Sequence, residues 1–333
     1  MNRYFAYILK AARKVYRQVF HIEYGVIKPI NTTEEDERAS KLIYDTLVSD
    51  KPCMIARFGS FELNTILVVY SMMAKKHSII DFIMGRQFEW WWDSRSNLRY
   101  YIQNNAGFFP VTDESLVQYK DRMFADMLEL DVLGDFADGV RYIEPLLKEV
   151  KRVHLKNLEP FYGSTPWTKA LEGKKILIIH PLADLIAEQY KKYREFIFKS
   201  EKILPKFELY TIKAVQSLGG KNKRYSSWFD ALSWMESEMD KINYDIALIG
   251  CGAYGFCLAA HAKRMGKKGF HIGGVLQYLF GIKGRRWENP DYNVDAWKIP
   301  KGFYSNRINE FWIRPSQRDV PANAANVENS CYW

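Results

Sequence analysis

The sequence predicts an α/β protein: a Rossmann-like parallel sheet flanked by helices, with an amphipathic N-terminal helix and an irregular C-terminal tail. Three observations predict it. The 333 residues are 47% apolar and 26% charged, enough to bury a large core. From Lys174 onward, short apolar runs alternate with helical patterns, the order that builds βαβ units and a parallel sheet. A glycine-rich turn, GCGAYG at 250–255, lies between a strand pattern and a helix pattern.

Residues 1–30 form a first unit. In MNRYFAYILKAARKVYRQVF, Phe5, Ile8, Leu9, Ala12, Val15, Tyr16 and Val19 recur at helical spacing, and Lys10, Arg13, Lys14 and Arg17 fill much of the rest. Such a helix fits a membrane interface, through apolar burial plus attraction to anionic lipid. It fits equally a surface helix docked on the core or on a second subunit. Residues 31–333 form the main domain: a first half to about 165, a Rossmann-like second half over about 166–288, and a tail over 289–333.

In the first half, Thr32 and Thr33 before acidic residues open a helix. A short strand follows at 54–57, then a helix over about 61–73 with Ser60 as its N-cap. Helical patterns continue through SLVQYKDRMFADMLELDVLGDF, and RYIEPLL reads as either a strand or a helix end. In the second half, KKILIIH, FELYTIKA, YDIALIG and KGFHIGG are strands, with helices over 183–198, 228–242 and 253–265 between them. Ligands of such sheets bind beyond the carboxyl ends of the strands. That singles out Arg57 to Glu62, His180, Gln216, Gly250 to Gly255 and Gly273 to Gln277.

The formal charge of +9 points to an acidic partner: nucleic acid, anionic lipid or nucleotide phosphate. No zinc-finger spacing or RNA-recognition signature is present, which sets nucleic acid aside. The four cysteines form no CxxC pair and suit packed thiols of a cytosolic protein. Neither a signal-peptide pattern nor a run of ~20 apolar residues occurs, so a soluble protein is expected.

Each motif has a structural reading beside its functional one. GCGAYG matches the dinucleotide fingerprint literally, but the following strand ends in HIGG, without the acid that would hold a ribose. That argues against a nicotinamide, flavin or methyltransferase reading. The glycines serve either close approach of backbone N–H groups to an anion or close helix–strand packing. His180 is a base, a donor to phosphate, or a structural strand end; His261 and His271 read as packed or surface residues. The tryptophans of FEWWWD at 88–93 are platforms for a sugar face or anchors of a core. In GIKGRRW, Lys283, Arg285 and Arg286 form a diphosphate clamp or a solvated loop. No Ser-His-Asp order, GxSxG, P-loop or HExxH supports a hydrolase or kinase.

Two stretches resemble the GT-D-type glycosyltransferases of bacterial polysaccharide and surface-glycan assembly. ARFGSFELNTI is similar to that family's strand–turn–helix with a DxE motif in an RFGDGE-like run. YDIALIGCGAYGFCLAAHAKRMGKKGFHIGG is similar to its last βαβ unit. ILIIHPLADLIAEQY, TIKAVQS and VENSCYW look like pieces that recur in a related polysaccharide-cluster group, and the resemblance spans roughly residues 50–333.

The resemblance implies a GT-D-like fold and a nucleotide-sugar donor, a UDP-sugar foremost. It also implies a divalent cation, Mg²⁺ or Mn²⁺, on the diphosphate. Carried over, Glu62 is the glutamate of the motif and Arg57 its arginine, while Ser60 stands where the family has aspartate. Losing one carboxylate weakens a hard-cation site. Either Glu62 holds a metal with water and the diphosphate, or Arg57 with Lys283, Arg285 or Arg286 offsets the leaving charge.

The expected function is sugar transfer to a glycan or glycolipid acceptor, with the protein cytoplasmic and peripheral on the inner face of the membrane through its N-terminal helix. Glu62 leads as catalytic residue, followed by Glu328, in a tail able to fold back, and His180. Arg57, Gly59, Ser60, Asn64, Gly250, Gly252, Tyr254, Gly255, Gly273, Gly274, Gln277, Lys283, Arg285 and Arg286 are the expected substrate residues. The alternatives are a non-catalytic glycan-assembly subunit with a degenerate DxE and another nucleotide-dependent transferase.

Overall fold

Alternate residues along each strand enter one of two apolar layers, because successive side chains point to opposite faces. Met54, Ala56, Leu177, Ile179, Ala247 and Ile249 belong to one layer; Cys53, Ile55, Ile176, Ile178, Ile246 and Leu248 belong to the other. A sheet covered on both faces needs strands that read as continuous apolar runs, as CMIA and ILII do. The computed structural model describes residues 2–23, 33–92, 97–220, 222, 224–321, 324–326 and 330–333.

Seven strands form one parallel sheet: β1 Cys53–Ala56, β2 Val132–Asp135, β3 Lys151–His154, β4 Lys175–His180, β5 Glu208–Lys213, β6 Ile246–Ile249 and β7 Lys268–His271. Their order is β3-β2-β1-β7-β6-β4-β5, with every pair parallel. The helices are α1 Arg3–Val19, α2 Thr33–Val48, α3 Ser60–Met72, α4 Ile79–Ile83, α5 Leu98–Asn104, α6 Asp113–Met127, α7 Ala183–Ile197, α8 Trp228–Asp240, α9 Gly255–Arg264, α10 Val275–Leu279, α11 Arg285–Glu288 and α12 Val294–Trp297. Leu63, Leu116, Leu232 and Leu258, from α3, α6, α8 and α9, pack in one layer; Ile43, Ile186 and Leu276, from α2, α7 and α10, pack in the other.

The sheet is larger than the sequence suggests. β1 pairs directly with β7, Ile55 opposite Phe270, so the two halves share one sheet. The helical pattern expected through Phe136 ends at Met127, and the apolar VLGD beyond it is β2. RYIEPLL is the end of a 3-10 helix, Asp138–Leu146, with Pro145 inside it and Leu147 as its C-cap. β3 carries no apolar run of its own; Lys151 and Arg152 begin it at the sheet edge. The N-cap of α3 is Gly59, not Ser60, which is the first helical residue. Thr32 lies outside the described residues.

Two of the three tryptophans of FEWWWD anchor a core. Trp91 packs with Phe82, Ala6 and Leu9 in a small satellite core that α1 closes, with Trp90 against it. Arg99 lies over Trp92 at 4.5 Å. All four cysteines are buried free thiols. No described helix is long and apolar enough to cross a membrane.

Candidate functional site

The seven strands point their carboxyl ends at one cavity of about 330 Å³. It is lined by Arg57 and Glu62 after β1, Phe136 after β2, Leu155 after β3, His180 at the end of β4, Gln216 and Ser217 after β5, Gly250 to Gly252 after β6, and His271 and Gly273 at β7. The strand order explains this convergence. The chain leaves β4 outward to β5 and returns as β6 on the other side of β4, which opens a crevice between the two strand ends. There Gly250 lets the walls close: a methyl on it would sit 2.6 Å from Gly273 O and 3.0 Å from His180 Cδ2.

Glu62 occupies the third position of α3, folded back over its N-terminus. A side chain at Gly59 would overlap its carboxyl group, so glycine before the helix makes room for it. Desolvation raises the Glu62 carboxyl above the usual range; its own backbone N–H and Arg57 pull the other way. It is the one acidic side chain among the described residues lining the cavity. Ser60 is exposed at the rim.

Arg57 turns its Nε and Nη2 onto the Phe58 carbonyl, at 3.0 and 2.9 Å, and lies over the Phe136 ring at 4.8 Å. Its charge acts on the Glu62 carboxyl, and its Nη1 lies close to Gly273. Arg286 reaches the cavity from α11, held at 4.1 Å over the Tyr332 ring with Nη1 donating to Tyr332 Oη at 3.1 Å. Gln277 donates to the Tyr332 carbonyl at 2.9 Å, so Tyr332 and Trp333 fold back as one wall of the cavity. Two guanidinium groups against one carboxyl kept up by burial make a site suited to an anion.

The histidines at the strand ends are neutral. His180 Nδ1 accepts from the Leu182 N–H at 3.0 Å, and burial pushes its pKa down to about 3. Its remaining nitrogen therefore carries hydrogen and acts as a donor; the base role expected of it would need the nitrogen that Leu182 already occupies. His271 Nδ1 donates to Ile249 O at 3.2 Å, and its pKa is likewise about 3, from burial and then Arg57. His271 had no functional expectation, although KGFHIGG ends a strand; reading every strand end would have found it.

The glycine turn has structural reasons at each position. A methyl on Gly255 would overlap the His271 ring, and Gly252 has φ +57° with Ala106 O 3.1 Å from its Cβ position. Tyr254 stacks on Trp228 and pairs its hydroxyl with Ser217 at 2.8 Å, while Ser217 donates to Gly107 O at 2.7 Å. The turn is thus built by packing, and it also forms the cavity wall.

Of the expected residues, Arg57, Gly59, Ser60, Glu62, His180, Gly250, Gly252, Tyr254, Gly273, Gly274, Gln277 and Arg286 line the cavity. Gly255 sits behind it under His271. Asn64 turns toward Gly139 instead, because its place on α3 faces the 3-10 helix after β2. The three-residue cationic clamp is not assembled: Lys283 lies 3.8 Å from Glu288 and Arg285 is exposed, leaving Arg286 alone on the cavity. Glu328 lies outside the described residues. Asn105, which carried no sequence signal, lines the cavity with a buried Oδ1 that meets no donor among the described residues.

Among the described residues no group of three His, Cys, Asp or Glu side chains is placed to hold a metal ion. With Glu62 as the one acidic side chain among the described residues on the cavity, that donor set does not fit a resident hard cation. No family model, curated protein or solved structure matches this chain. The fold and site define a Rossmann-like α/β protein with a cationic cavity at the carboxyl edge of its sheet.

Proposed function

We propose that the protein is a glycosyltransferase that moves a sugar from a nucleoside-diphosphate donor, a UDP-sugar foremost, to a lipid-linked glycan acceptor at the cytoplasmic face of a membrane. The observation that carries this reading is the convergence of Arg57, Arg286 and the desolvated Glu62 on one cavity. The resemblance of ARFGSFELNTI to the GT-D motif points the same way.

In this reading the diphosphate lies against Arg57 and Arg286, and the neutral His180 supplies a further donor. The acceptor oxygen attacks the anomeric carbon, the carbon–oxygen bond to the diphosphate breaks, and its electron pair leaves on the diphosphate. Glu62 takes the acceptor proton. Its raised pKa makes it a better base near neutral pH than an ordinary carboxylate, and a single displacement requires one base. The guanidinium groups offset the charge that grows on the leaving group.

Glu62 is folded back beside Gly59 at the start of α3, a placement that a non-catalytic sugar-binding subunit would retain. A thermal-shift screen of nucleoside diphosphates, with and without Mn²⁺, followed by a donor-turnover assay, separates the readings. A ligand at a hundred times its Kd stabilises by about 2.7 kcal/mol. Stabilisation with turnover supports the transferase, and stabilisation without turnover supports the binding subunit. Absence of any nucleotide effect refutes both nucleotide-dependent readings.

A further inference from the structure

The N-terminal helix docks through a face that joins Ala6 and Leu9 to Lys10 and Arg13, with Lys14, Arg17 and Gln18 exposed beside it. Ala6 and Leu9 meet Phe82 and Trp91. Lys10 pairs with Glu89 at 2.9 Å, and Arg13 lies over the Phe82 ring and donates to Tyr142. Lys10, Arg13, Lys14 and Arg17, with Gln18, line a cleft of about 350 Å³ between the helix and the body, where Glu89 is the one acidic side chain among the described residues. The opposite face is apolar and open: Tyr4 is 77% exposed, Ile8 64%, Val15 57% and Val19 63%. These four fall within a narrow arc at 100° per residue, so they form one stripe. Exposed Ile79 and Ile80 lie on α4, which packs against α1.

A surface helix normally hides its apolar stripe. Here the docking contacts are made by Ala6, Leu9 and the basic side chains of Lys10 and Arg13, and the stripe is left outward. We propose that α1 is a membrane-docking element for an anionic bilayer: the outward stripe enters the acyl boundary, and the basic cleft receives phosphate headgroups. Charge complementarity favours this occupant over a second copy of the chain. A second α1 would bring four more cations against these four, on a protein already at +9. The proposal does not depend on sugar transfer, since the surface needs neither donor nor turnover.

The test is co-sedimentation of the full chain with vesicles of phosphatidylcholine alone and of phosphatidylcholine with a third phosphatidylglycerol, at low and high salt, together with sedimentation velocity without lipid. The expected result is salt-sensitive binding to the anionic vesicles and little to the neutral ones. Lys14→Gln with Arg17→Gln should weaken partition by about 25-fold, on the order of fivefold per surface charge. Ile8→Gln with Val15→Gln keeps the charge and should weaken it at least about tenfold, through lost apolar burial. Both sites are exposed, and unchanged circular dichroism and melting confirm the fold of each variant. Failure of the wild type to bind anionic vesicles at low salt overturns the proposal. So does binding that ignores the Ile8/Val15 substitutions, or a wild-type dimer that these substitutions dissociate while vesicles go unbound.

Discussion

At the turn 250–255 a packing role and a ligand role predict opposite outcomes. Alanine at Gly255 would place a methyl in the His271 ring. The backbone there is ordinary right-handed helix, φ −60° and ψ −37°, so any strain comes from that ring alone. The imidazole is buried and bonded to Ile249 O, and must move to admit the methyl. Overpacking costs about 1–3 kcal/mol, and the disrupted buried hydrogen bond about 1–3 kcal/mol more. At about 2.1 cal/mol/K per residue, 333 residues give an unfolding entropy of about 0.7 kcal/mol/K, so a loss of about 2–6 kcal/mol lowers Tm by about 3–9 °C.

Calorimetry on the wild type, Gly255→Ala, His271→Ala and the double variant reads this out. With the ring removed the clash is gone, and alanine's helix propensity, up to about 1 kcal/mol better than glycine, makes the substitution neutral or stabilising. A Gly255→Ala protein that melts with the wild type, or a penalty that persists without His271, refutes the packing argument.

Three further outcomes follow from the site and its surroundings. Glu62→Gln should leave the fold intact and lower transfer by at least about 100-fold. The acid limb of kcat/KM in the wild type should lie above the ordinary carboxylate range, because desolvation raises that group; near-normal turnover of the variant removes Glu62 from the mechanism. His271 is held neutral with a pKa of about 3, so its stability contribution is full above its free value of 6.5 and is lost as pH falls toward 3. Unfolding free energies from urea titrations between pH 8 and 5 should therefore fall less in His271→Asn than in the wild type, by about 2 kcal/mol, and identical slopes would refute the assignment. Glu159 has the opposite sign: buried beneath Tyr304 Oη at 2.7 Å, its pKa is raised from 4.5 to about 8. Its contribution is present below 4.5 and is lost as pH rises through about 8, so Glu159→Gln should flatten the decline between pH 5 and 8 by about 3 kcal/mol.

Much of the second half was legible because its signals are local. KILIIH and IALI bury both faces, so each reads as a strand from its own few residues, and the helices between them follow from periodicity over one or two dozen positions. β3 had no such signal, since an edge strand that begins Lys-Arg has little apolar pattern to read. β2 was absorbed into the helix before it because VLGD is short and follows α6 with no glycine or proline between. The docking of α1 was legible only in part: the sequence gives an amphipathic helix and says nothing of which side the body holds.

The sequence by itself determined which segments are strands and helices in the βαβ half, and that Arg57, Glu62, His180 and the glycine turn stand at element ends. Those are properties of side-chain period and of residues near in the chain. Only the tertiary structure decided that β1 lies beside β7, which brings Arg57 against Gly273, and that Tyr332 folds back to carry Arg286 to the same cavity. It also decided that Lys283 is drawn to Glu288 and away from the clamp. Strand order and side-chain pairing depend on contacts between residues remote in sequence, where the local pattern carries no information.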